Sequence, residues 1–128
     1  MAVSSLPSEG FRPLILQGFR GSTSTVESWT RCGHSIYFSI NGSVASFTPS
    51  EREGLRAIPI SRLLVESNSP NSPVGVQYPM TPVFLGVTID MIARIRGVPF
   101  EEICRATYIN GLAAFQALLS PSRPYARR

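Results

Sequence analysis

The stretch RLLVESNSP, residues 62–70, sets a cluster of polar groups directly after an apolar run. Leu63-Leu64-Val65 has the composition of a buried strand, and Glu66-Ser67-Asn68-Ser69-Pro70 forms its polar tip. A strand's C-terminal end is a favoured mount for chemistry, because the sheet fixes it while the loop beyond stays open to substrate. Glu66 supplies a carboxylate there. Asn68 supplies only an amide, which serves neither as a general base nor as an anionic metal ligand. Other reactive side chains are scarce: one histidine, His34, one aspartate, Asp90, and two cysteines, Cys32 and Cys104. Protein metal sites take three or four ligands from His, Cys, Asp and Glu. This chain could assemble such a set only from glutamates and distant singletons. His34 therefore reads as a solvated or hydrogen-bonded residue at a strand start, Asp90 as part of an exposed helix face, and Trp29 as packing. The cysteines read as buried thiols of a reducing compartment.

The elements that must position the polar tip follow from pattern. PLILQ (13–17) and SIYFSI (35–40) have the length and composition of strands, and SRLLVES (61–67) is the third. Gly18 and Gly21 mark a tight turn after the first. TSTVESWTRC (23–32) suits a short helix starting at Ser22 or Thr23, with Gly33 as its stop, and NGSVASF (41–47) reads as a loop. TPSE (48–51) is a helix start: Thr48 caps, Pro49 suits the first position, and Glu51 completes a capping box. Residues 68–80 form a Pro/Gly/Ser/Asn loop, and Thr81-Pro82 repeats the cap-plus-proline signal. The next helix, 83–96, carries Leu85, Ile89, Ile92 and Ile95 along one stripe, with Gly97 as its stop. Residues 99–119 form one or two helices with Ile103, Leu112, Phe115 and Leu118 facing inward. Strands alternating with helices imply a parallel α/β sheet with covering helices, joined in right-handed units. Three parallel strands with open edges need a partner or a complementary chain to cover them.

The 128 residues suit one domain: a flexible lead-in (1–12), the folded part (13–119) and a basic tail (120–128). Charged residues make up 16%, below the roughly 25% of an average domain, which fits a surface partly covered by protein. All twelve basic residues are arginine, net charge is +4, and their dispersal permits nucleic-acid contact without locating a groove. No run is long enough for a membrane span and no signal-peptide core is present, so the expectation is a soluble, intracellular protein without membrane association.

Four stretches together resemble the C-terminal portion of TatD-type metal-dependent deoxyribonucleases, which are TIM-barrel hydrolases. Gln17-Gly18-Phe19-Arg20-Gly21-Ser22 is similar to the family's His-Cys-Phe-Ser-Gly-Ser segment. Residues 33–40, GHSIYFSI, resemble its Gly-x-Tyr-Ile-Ser-Phe strand. Residues 58–70, IPISRLLVESNSP, resemble its Ile-Pro-Leu-Asp-Arg-Leu-Leu-Leu-Glu-Thr-Asp-Ser-Pro signature, and Thr107, Asn110 and Phe115 fall in its closing Thr-x-x-Asn-Ala-x-x-x-Phe helix. The resemblance implies a partial TIM-like (β/α) barrel whose three strands are the sixth, seventh and eighth. It also implies two divalent cations and metal-assisted phosphodiester hydrolysis. The family's metal-facing His and Asp correspond here to Gln17 and Asn68, amides that keep size but lose basicity. Glu66 corresponds to a residue that precedes the ligand. The family's earlier ligands lie in a region outside this sequence. The expectation is therefore a degenerate site, Gln17 and Asn68 with neighbouring Glu66, no metal or other cofactor held by the chain, and action as a structural or interaction protein. The alternative is a segment of an active metal-dependent deoxyribonuclease completed by further strands.

Overall fold

The computed structural model describes residues 12–66 and 82–119. The lead-in to residue 11, Asn68 with the loop 68–80, the Thr81 cap and the tail from residue 120 lie outside them. Along the chain run β1 (Leu14–Leu16), α1 (Thr23–Thr30), β2 (Ile36–Ile40), α2 (Pro49–Ala57), β3 (Leu63–Val65), α3 (Pro82–Arg96) and α4 (Phe100–Leu119). Short 3-10 turns occupy Gly42–Ser46 and Ile60–Arg62. The strands form one parallel sheet in the order β1-β2-β3, with Leu16 beside Phe38 and Phe38 beside Leu63. This is the expected α/β arrangement. β1 and β3 each pair only with β2 among the described residues, so each has one edge without a strand neighbour.

The helix starts and the end of α3 follow the sequence signals, whereas α1 stops at Thr30 with Arg31 as its C-cap, ahead of the expected stop at Gly33. Ser22 Oγ accepts from the Thr25 N–H and starts α1. At α2, Thr48 Oγ1 accepts from the Glu51 N–H while Glu51 Oε1 accepts from the Thr48 N–H, a closed capping box with Pro49 inside it. Gly97, at φ +72°, ends α3 with its own N–H and that of Val98 both donating to the Ala93 carbonyl.

One sheet face meets the helices. Side chains paired in register share a face in a parallel sheet, so Ile36, Phe38, Ile40 and Leu63 pack together with Val26, Leu55, Ile92 and Ile103 from the four helices. Burying each such side chain contributes about 1.5–3 kcal/mol. The helices are then tied by polar clamps. Arg96 Nη1 donates to the carbonyls of Leu55 and Ile58 at 2.7 and 2.8 Å, capping the end of α2 from α3, and its burial lowers its pKa. Gly54 lies so close to the Gly21 carbonyl that a Cβ would overlap it, which seats α2 against the entry to α1. Asn110 Nδ2 donates to the carbonyls of Ile60 and Leu63, both at 2.8 Å, and fixes α4 over the entry to β3.

Several expectations need correction. Residues 42–46 are not an open loop: Asn41 Oδ1 accepts from the Ser43 N–H at 2.8 Å and nucleates a 3-10 turn that buries Val44. Residues 99–119 yield a single helix from Phe100. Its inward face is Ile103, Thr107, Asn110 and Ala114, whereas Leu112 and Phe115 are exposed and Leu118 is half-buried. The amide clamp at Asn110 sets this rotation. Trp29 is exposed on α1 rather than packed, and both cysteines are free and only half-buried.

The chain after β1 is held to α2 by Arg20. Its guanidinium grips Glu51 through two hydrogen bonds, 2.8 and 3.1 Å, reaches the Ser46 carbonyl and lies 5.2 Å from the Phe47 ring centre. Arg20, and next the Thr48 N–H, hold the Glu51 carboxyl at about 2 instead of 4.5. A depressed folded-state pKa gives stability that is complete above the unfolded value and disappears as pH falls through the folded one. Acid titration of stability should therefore show a loss between pH 4.5 and 2 that the Glu51→Gln variant lacks; equal profiles would contradict the pairing. Asn110→Ala should cost about 2 kcal/mol in urea unfolding, since the buried Leu63 carbonyl loses its side-chain donor and the Ile60 carbonyl keeps only the Leu63 N–H. A loss below about 0.5 kcal/mol would mean that water replaces the clamp.

Candidate functional site at the strand ends

The C-terminal ends of the three strands meet at one rim. Gln17 follows β1 directly and is exposed. Gly18 then turns the chain at φ +61°, a conformation suited to glycine, and the Phe19 N–H donates to the Ser39 carbonyl at 2.9 Å. Phe19 itself packs edge-on against Phe38, 4.9 Å between ring centres. The chain leaving β1 thus folds across the end of β2. β3 is locked to the same place, because the Glu66 N–H donates to the Ile40 carbonyl at 2.9 Å.

Glu66 is the centre of the rim. Its Oε1 accepts from Ser39 Oγ at 2.6 Å, the short distance of a hydroxyl bonded to a charged acceptor. Its Oε2 accepts more weakly from Asn41 Nδ2 at 3.4 Å. Ser39 is buried, so the carboxylate compensates a hydroxyl placed within an otherwise apolar strand. Asn41 has two tasks, donating to Glu66 and capping the 3-10 turn through Oδ1. Gly18 completes the packing: a Cβ there would stand 3.2 Å from Asn41 Nδ2 and 4.0 Å from Glu66 Oε2. Gly18, Ser39, Asn41 and Glu66 therefore belong to one constellation, and Gln17 is the exposed residue just before it in the chain.

The remaining reactive groups do not join it. His34 lies before β2, at the other end of the strand that carries Ser39, roughly 16 Å away along an extended chain. Asp90 is on α3 and pairs with Arg94 at 2.8 Å. Arg62 stacks 5.1 Å from the Tyr37 ring centre and donates to Ser35 Oγ, also at the strand starts. Among the described residues, no three His, Cys, Asp or Glu side chains stand close enough to hold a metal ion. The donor set decides the same point. Two divalent cations demand several anionic or imidazole ligands, whereas the described rim offers one carboxylate, with both oxygens engaged, a hydroxyl and two amides. These residues do not suit a metal pair.

Ser39 and Asn41 are the site residues that pattern reading missed. The signal was present: Ser39 is the polar residue inside SIYFSI before its final Ile40, and parallel pairing brings it beside Leu64, two residues before Glu66 reaches over.

Comparison with known proteins places this arrangement. The family model for TatD related DNase matches residues 3–116. Human deoxyribonuclease TATDN3 is 24% identical over 116 residues, covering 91% of this chain and 41% of its own length. A putative deoxyribonuclease from Xenopus laevis, tatdn3-B, is 27% identical over 117 residues, covering 91% of this chain and 44% of its own. The chain therefore spans about two fifths of the length of these relatives. Among solved structures, an uncharacterized amidohydrolase from Saccharomyces cerevisiae superposes with a TM-score of 0.66 at 14% identity, over 83% of this chain and 41% of that one. The TatD homolog YJJV from Escherichia coli gives 0.61 at 22% identity, over 78% and 39%. Three parallel strands with covering helices agree with these neighbours in fold, and with the family model running through nearly all of the sequence, the chain belongs to the TatD-related DNase family.

Proposed function

We propose that this chain is a catalytically degenerate TatD-type segment that acts as a structural or interaction element. The observation that carries this reading is the state of Glu66, the carboxylate at the rim, which is committed to Ser39 and Asn41. The positions that the family resemblance assigns to a metal-facing His and Asp hold Gln17 and Asn68. An amide at either position keeps the volume and the hydrogen bonds of a ligand but presents no anionic oxygen or basic nitrogen to a cation. It also cannot accept the proton of an attacking water. The turn at Gly18 and the seating of Phe19 would then persist because they hold three strand ends together. The partner that this reading calls for is a protein surface or complementary chain that covers the free edges of β1 and β3, whose backbone groups favour another strand. The dispersed arginines would tolerate nucleic acid nearby, and an intracellular, soluble setting suits two free cysteines. Among the described residues no helix is long and apolar enough to cross a membrane.

A second reading rests on length. Since the relatives extend well beyond the matched region, the chain could be the C-terminal segment of a working metal-dependent deoxyribonuclease, with further strands bringing their own ligands. It then has to explain two amides at metal-facing positions.

Titration of the chain with Mn²⁺ separates the two. No site tighter than about 1 mM is expected; a saturable site tighter than about 1 μM would overturn the degenerate reading. Where complementary strands are supplied, the pair Gln17→His and Asn68→Asp should raise phosphodiester hydrolysis if only these ligands are missing. Strong hydrolysis by the unsubstituted assembly would favour the second reading instead.

A further inference from the structure

α4 bears two stripes with the same 4-3-4 spacing. Ile103, Thr107, Asn110 and Ala114 are buried toward β3. Tyr108, Leu112, Phe115 and Leu119 lie roughly 140° around the helix from them and are 67, 44, 59 and 66% exposed. This second stripe faces away from the sheet. From Ala106 to Leu119 the helix carries no charged residue, although a solvated surface helix normally places charges on its outer side. Large apolar side chains, aromatic ones included, in a charge-free setting are the composition of an interface centre.

We propose that the chain self-associates through this face, with α4 packing antiparallel on α4 of a second copy. The spacing is what selects a second copy as occupant. A 4-3-4 stripe reads the same from either end, so a two-fold axis passing between Ala113 and Ala114 brings every member onto another member. Tyr108 of one copy meets Leu119 of the other, and Leu112 meets Phe115. Each aromatic ring lies against a leucine, and the contact is self-complementary as a closed dimer requires. Gly111 borders the stripe at a point where a Cβ would meet nothing within 4 Å, leaving room for the second backbone to approach. Ile109, 54% exposed, widens the apolar face on its other side. The exposed parts of these five side chains amount to about 500 Å² per copy, taking typical large side-chain areas. That is less than a standard interface buries per partner, so the dimer is reversible, with a Kd in roughly the micromolar range. The contact lies opposite the sheet and goes beyond the reading of the rim, standing whether or not metal binds there.

The test is sedimentation equilibrium of the 128-residue chain from about 1 to about 100 μM, spanning the expected Kd. A monomer–dimer equilibrium is expected; a monomer throughout would overturn the proposal. Leu112→Glu with Phe115→Glu should raise the Kd at least about tenfold while leaving the circular-dichroism helix signal unchanged, because both positions are exposed in the single chain. An unaltered dimer would place association elsewhere, such as the sheet edges, and overturn it too. Leu112→Lys with Phe115→Glu sets opposite charges together twice in the antiparallel pair and like charges together in a parallel one. Stronger association than the double glutamate variant is expected, and equal weakness would overturn the antiparallel arrangement. A metal site found at the rim would leave all three results unchanged, so the two readings fail separately.

Discussion

The amide of Asn110 lies between α4 and the entry of β3, giving both of its N–H bonds to the carbonyls of Ile60 and Leu63. Those carbonyls belong to the turn that launches β3, where the Ile60 carbonyl also accepts from the Leu63 N–H. Leu63 is buried, and a buried carbonyl that loses a donor is costly, so the helix presents position 110 to the strand rather than the larger apolar residues of its other face. Two consequences follow from that one obligation. β3 starts at a fixed height, which brings Glu66 level with the ends of β1 and β2. The rotation of α4 is also fixed, which turns Tyr108, Leu112, Phe115 and Leu119 outward. The rim and the outer face of the last helix are thus governed by one clamp.

At the rim, the position of Glu66 is fixed by its neighbours. A carboxylate oxygen in a 2.6 Å bond from a buried hydroxyl is held in place, because moving it away would leave Ser39 without its acceptor. The second oxygen is shared with Asn41, and Asn41 is needed by the turn at residues 42–46. Moving Glu66 toward a cation would therefore disturb two elements. Local hydrogen bonds here hold the strand ends in register with one another.

Much of this was legible in the chain. Signals that act within a few residues translated directly: Thr48-Pro49 with Glu51 as a capping box, Gly97 as a helix stop, Ser22 as a cap, and the three apolar strands. The failures share a cause, which is that the deciding contact joins residues distant in sequence. On α4 the apolar pattern offers Leu112 and Phe115 as the inward face, and only the bond from Asn110 to residues some fifty positions earlier reverses that choice. The 3-10 turn depends on Asn41 and the burial of Val44, which composition reads as loop. Ser39 looks like a flaw in a strand until the Glu66 carboxylate reaches back to it from the end of β3. Asn68 is read from sequence alone.

The molecule consequently presents two unlike demands for partners. The free edges of β1 and β3 carry backbone donors and acceptors, so what satisfies them is another strand, at a spacing fixed by the sheet. The outer stripe of α4 carries side chains only. It asks for shape and apolar area, and its charge-free surroundings impose no sign on whatever covers it. A strand cannot satisfy the stripe and a helix cannot satisfy the edges. Because the stripe faces away from the sheet, filling one demand does not obstruct the other. On the proposed reading, assembly would run in two directions, laterally through the hydrogen-bonding strand edges and outward through the apolar face of α4.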